Sequence, residues 1–76
     1  MRESTREYFD DMVITTKVDV QLFGSGGNLA NIKVETFKRK VQLSGFAKSE
    51  QEKQSASQIA APINGVKEVI NGILIQ

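Results

Sequence analysis

Between residues 32 and 46 the chain reads IKVETFKRKVQLSGF, with apolar and polar residues alternating on both sides of a short basic centre. Period-2 alternation marks strands with one buried face, and two such runs around a residue pair predict a β-hairpin. With Lys38-Arg39 as a two-residue turn, Phe37 faces Lys40, Thr36 faces Val41, Glu35 faces Gln42, Val34 faces Leu43 and Ile32 faces Gly45. Ile32, Val34, Thr36, Val41, Leu43 and Gly45 then share one face. Lys33, Glu35, Phe37, Lys40, Gln42, Ser44 and Phe46 share the other. A one-residue slip would mix the two sets, so the pattern selects this pairing.

Ahead of the hairpin, Ile14, Val18 and Leu22 recur at i, i+4 and i+8 with Phe23 beside them, which predicts a helix with a narrow apolar seam. Asp10 and Asp11 read as its N-cap and first-turn anion. Residues 1–8 read as a charged, flexible N-terminal segment, although Tyr8 and Phe9 could fold back onto an apolar surface. The β-branched residues Val13, Ile14, Thr15, Thr16, Val18 and Val20 make a poor intrinsic helix former, so tertiary packing must hold it. Gly24-Ser25-Gly26-Gly27 ends the helix.

Beyond the hairpin, Gly45 falls on the buried face, which predicts close approach of another backbone or helix. Ser49 and Glu52 have the spacing of a capping box, and Ala56, Ile59, Ala60 and Ile63 follow on one helical face. Pro62 predicts that this helix stops near Ala61. Asn64-Gly65 reads as a turn, and residues 66–76 as the last strand with Asn71-Gly72 as a candidate bulge. The fold class is α+β: an αββαβ chain, a three-stranded mixed sheet with two helices packed on one face. The third strand returns parallel to the second through a right-handed crossover. Residues 9–76 form the single domain.

Seventy-six residues without Cys or His allow neither a disulfide nor a zinc site, so stability of roughly 3–5 kcal/mol must come from one core. No serine has a visible base partner, and Asp10/Asp11 and Glu50/Glu52 sit where capping explains them, so the reading is a non-enzyme without cofactor or metal. The glycine-rich stretch follows a helix and opens a strand, the reverse of a phosphate-cradling loop. Ten basic and nine acidic residues leave a net charge of +1 with no basic stripe, which argues against nucleic acid as a partner. No run approaches the roughly 20 apolar residues of a transmembrane helix. Residues 1–9 lack the apolar core of a signal peptide, so the chain reads as cytosolic as it stands, or as the mature or trimmed form of an exported protein.

The candidate binding residues are Lys38, Arg39 and Lys40 at the hairpin tip, with Lys33, Phe37 and Phe46 on the open face. Basic residues at a tip can meet anionic headgroups or serve only as a solvated turn that discourages aggregation. The two phenylalanines could mark a partner surface, pair with each other, or be covered by Tyr8 and Phe9.

Taken together, Asp10-Asp11, Ile14-Thr15, Lys17-Val18, Ile32 to Thr36, the Val41-Gln42-Leu43-Ser44-Gly45-Phe46 block and Gly65-Val66 with Val69 and Asn71 resemble the BON domain (bacterial OsmY and nodulation). The likeness spans about residues 9–76. It implies an αββαβ fold, a periplasmic or envelope location, and a non-catalytic role in phospholipid or membrane attachment, often under osmotic stress. Chaperone-like binding of envelope proteins and, in one branch, potassium binding through backbone carbonyls are the alternatives it implies. It also implies a monomer or one module of a longer protein. The chain departs from the family at Arg39, where the turn usually carries a glycine often regarded as functional. A type I′ turn would hold Arg39 at positive φ, which predicts strain of about 1 kcal/mol or a longer loop. Pro62 is the second departure.

Overall fold

The computed structural model describes residues 4–76, with 27 and 28 by backbone only. The first helix, α1, spans Thr5–Gly24. It starts earlier than Asp10 because Ser4 and Glu7 form a reciprocal capping box: the Ser4 hydroxyl accepts from the Glu7 N–H at 3.2 Å, and the Glu7 carboxylate accepts from the Ser4 N–H at 3.2 Å. Two otherwise orphaned donors are satisfied there, and Asp10 and Asp11 fall inside the helix. Of the expected flexible segment, residues 1–3 lie outside the described residues, while Ser4 to Tyr8 are the cap and first turn of α1. Ile14, Val18 and Leu22 are buried, as their spacing predicts. Past Gly24, a 3₁₀ turn over Gly27–Asn31 tucks Leu29 into the core and delivers the chain to the hairpin.

Strands β1 (Lys33–Phe37) and β2 (Lys40–Ala47) pair antiparallel in the register the alternation selects, from Lys33 opposite Ser44 to Phe37 opposite Lys40. Helix α2 (Glu50–Ala60) follows, with the Ser49 hydroxyl accepting from the Glu52 N–H at 3.2 Å. The return half of that capping box goes to the neighbouring residue, since the Glu52 carboxylate takes the Lys48 N–H at 2.8 Å. α2 stops at Ala60 with Ala61 as its C-cap, immediately before Pro62. Strand β3 (Glu68–Ile75) then pairs parallel to β2, giving the sheet order β1-β2-β3.

Both helices cover one face of the sheet. Val18, Leu22, Val41, Leu43 and Ile73 are completely enclosed between the layers, and Ala56 and Ala60 let α2 approach closely. Thr15 donates to Thr36 across the α1–β1 contact at 2.7 Å. On the opposite face Lys33, Glu35, Phe37, Lys40, Gln42 and Phe46 are exposed.

Two local expectations are corrected. β3 has no bulge, because Asn71 and Gly72 keep register with Leu43 and Ser44. The Asn71 side chain turns to α2 instead, donating to the Lys53 carbonyl at 2.8 Å and the Ser57 hydroxyl at 2.6 Å while its oxygen accepts from the Ile73 N–H at 3.0 Å. At Gly45 a methyl group would meet only ordinary contacts, the nearest being Ile32 Cδ1 at 3.5 Å. Glycine is favoured there by φ +127°, a conformation side chains rarely adopt, rather than by crowding.

Candidate functional site

The hairpin tip is built around a buried acid. Lys38 and Arg39 sit at φ +50° and +67°, so both central residues of the two-residue turn are left-handed without being glycine. Asp11, only 3% exposed within α1, accepts from the Lys38 N–H at 2.7 Å through Oδ2 and from the Arg39 N–H at 2.8 Å through Oδ1. The two left-handed residues cost about 1–2 kcal/mol each. Two hydrogen bonds to a charged acceptor, worth about 1.5–3 kcal/mol each, offset that. The turn thus accepts the predicted strain and needs no longer loop. The Arg39 carbonyl also accepts from the Lys67 N–H at 2.8 Å, fixing the entry to β3.

The six predicted site residues do not converge. Phe37 and Lys40 stand side by side on the open face, with Glu68 next in the row, and the Lys38 ammonium lies 5.8 Å from the Phe37 ring centroid. Arg39 turns the other way, toward the helix layer, where its guanidinium meets Asp10 at 3.5 Å. Lys33 pairs with Glu35 at 3.1 Å toward the far end of β1. Phe46 lies six residues from Lys40, roughly 20 Å along the strand, and flanks Leu74 of β3. Tyr8 and Phe9 pack edge to face on each other, centroids 5.9 Å apart, in the helix layer, and so leave Phe37 and Phe46 uncovered.

A second apolar surface lies on α1, outside the hairpin. Phe9, Met12, Val13, Val20 and Phe23 are all about half exposed or more, Phe23 reaching 74%. At 100° per residue, Phe9, Val13, Thr16, Val20 and Phe23 follow a 4-3-4-3 spacing on the side of α1 opposite Ile14, Val18 and Leu22. Five such side chains present on the order of 500 Å² of apolar surface, at the upper end for a monomer. The signal was in the sequence as a second helical stripe on the same helix.

Beside this stripe, α1, the hairpin tip and the loop after α2 border an open hollow of about 370 Å³ lined by Arg6, Asp10, Val13, Lys17, Arg39 and Asn64 among others. On the other rim, partial desolvation pushes the Asp19 carboxyl above its ordinary value. At the helix start, the Ser4 N–H and then the Ser4 hydroxyl hold the Glu7 carboxyl below its ordinary value. Among the described residues no three potential ligands from His, Cys, Asp or Glu come together as a metal site, and no helix is long and apolar enough to cross a membrane. The arrangement presents an apolar helix face with Arg6, Lys17 and Arg39 beside Asp10 on one margin and Asp19 on the other.

The fold is that of a small αββαβ module. The family model of the BON domain matches residues 10–76, and the chain belongs to that family of non-catalytic, membrane- and phospholipid-associated modules of periplasmic and envelope proteins. No curated protein matches the chain.

Proposed function

We propose that the domain associates with anionic phospholipid surfaces of the bacterial envelope, with α1 lying in the interfacial plane. The observation that supports this best is the exposed Phe9-to-Phe23 stripe flanked by Arg6, Lys17 and Arg39. An amphipathic helix of this kind buries its apolar side among the acyl boundary while basic neighbours meet the phosphates, each contributing about 1 kcal/mol. Arg39 brings the hairpin tip to the same surface, while Lys38 stays over the Phe37 ring. Phe37, Lys40, Lys33 and Phe46 face the other side and are secondary on this reading. The family's envelope association supports a periplasmic site of action, and a role under osmotic stress is part of the same proposal.

Co-sedimentation with anionic and zwitterionic vesicles at low and moderate salt tests the proposal. Binding should favour anionic vesicles, weaken with salt, and drop sharply in the double variant Phe9→Ser, Phe23→Ser. Unchanged sedimentation of that variant, or none by the parent, would sink it. A second reading, a protein-interaction or chaperone-like module, draws on the open sheet face, where Phe46, Leu74 and Ile70 are exposed. It requires lipid-free protection of an aggregating client that is lost on Phe46→Ser and Leu74→Ser.

A further inference from the structure

We infer that the hollow between α1, the hairpin tip and the loop after α2 is a subsite for a phosphate group, with Arg39 as its principal ligand. The inference rests on the lipid-surface reading and adds to it the group recognised, the phosphodiester of an anionic headgroup. Arg6, Lys17 and Arg39 line the hollow against a single carboxylate, Asp10, so three positive charges face one negative. Its volume of about 370 Å³ leaves room for a phosphate and its glycerol. The two ends of the α1 wall, Arg6 and Lys17, lie about 16 Å apart along the helix axis, and Arg39 reaches Asp10 between them.

Arg39 is suited to exchange partners. Its contact with Asp10 is long at 3.5 Å, with the two side chains 56% and 42% exposed, and such pairs hold each other weakly in water. A phosphate oxygen pair matches the planar guanidinium fork and can take over from the carboxylate. The exchange leaves the turn intact, because Asp11 holds the backbone N–H groups of Lys38 and Arg39, not the guanidinium. Conformation points the same way. At φ +67° glycine is the easier residue, so the backbone gives no reason for arginine here. Val13 lines the hollow and also belongs to the exposed stripe, so a headgroup seated on Arg39 directs its acyl chains along the apolar side of α1.

Two substitutions isolate the subsite. Arg39→Gly removes the guanidinium while easing the turn, and Asp10→Asn removes the competitor. With vesicles of phosphatidylcholine containing phosphatidylglycerol, Arg39→Gly should lower apparent affinity about fivefold, the effect of one basic residue at an anionic surface, and Asp10→Asn should raise it. Binding to phosphatidylcholine alone, whose phosphodiester is neutralised by its own choline cation, should change less in either. In a parallel arm, glycerol phosphate free in solution should shift the amide resonances of Arg39, Asn64 and Gly65 in the parent and not in Arg39→Gly. If the parent binds the anionic vesicles and both variants bind identically, the subsite is overturned while the surface reading survives. If no vesicle is bound but glycerol phosphate still titrates those amides, the phosphate site stands and the membrane reading falls. Silence in both arms overturns both.

Discussion

On α1 the side chains of Ile14, Val18 and Leu22 are sealed against the sheet, whereas Phe9, Val13, Val20 and Phe23, half a turn away, stand in solvent. Both stripes are apolar and both repeat at helical spacing, so hydrophobicity alone does not say which one builds the core. The inner stripe is complementary to what the hairpin offers, since Val34, Val41 and Leu43 lie across from it and Asp11 finds two N–H donors at the tip. The outer stripe has the larger side chains and no counterpart. Apolar residues that a domain leaves uncovered at this scale are available for association.

Substitutions on the two stripes should therefore separate folding from binding. Leu22→Ala deletes a fully buried side chain and should cost about 3 kcal/mol, comparable with the whole stability of so small a domain. Urea unfolding should show little native protein left. Phe23→Ser, its neighbour, should stay within about 0.5 kcal/mol of the parent. An equal loss in both would break the distinction between the stripes.

The adjacent acids offer the same contrast on a smaller scale. Asp11→Ala strands two turn N–H groups and should cost about 2–3 kcal/mol, with the Lys38 and Arg39 amides losing protection from exchange. Asp10→Ala, removing only an exposed ion pair, should be close to neutral in the same denaturation. Asn71→Ala removes the tie between β3 and α2 and should cost about 1–2 kcal/mol, read as a lower urea midpoint at constant slope.

The smallest effect belongs to the first turn of α1. The Glu7 carboxyl is held below its ordinary value by Ser4, so its contribution is complete above the unfolded pKa and disappears as pH falls through the folded one. Amide exchange at Ser4 and Glu7, corrected for intrinsic rates, should show protection falling across that acidic window, and Glu7→Gln should flatten the dependence. A pH-independent profile in the parent would contradict the cap.

Much of the fold was legible because its information is local. The Ile32-to-Phe46 alternation fixes both register and face, Pro62 stops α2, and the Ser49-x-x-Glu52 spacing starts it. The start of α1 was misplaced because Asp10-Asp11 and Ser4-x-x-Glu7 are competing cap signals, and only the second has reciprocal partners in space. The purpose of Asp11 could not be read from spacing, since its donors lie 27 and 28 residues away. The site was partly readable: Arg39 stood out by charge, but its swing toward α1, away from Lys40 and Phe37, follows from left-handed turn geometry. The outer stripe was fully encoded and passed over because one seam already accounted for the helix.

The Asn71 side chain has one more consequence. The Gln76 N–H donates to the Ala47 carbonyl, so alternation along β3 points the Ile73 N–H to the rim of the sheet, where the Asn71 oxygen occupies it. A foreign strand trying to zip onto that rim finds the middle donor already taken.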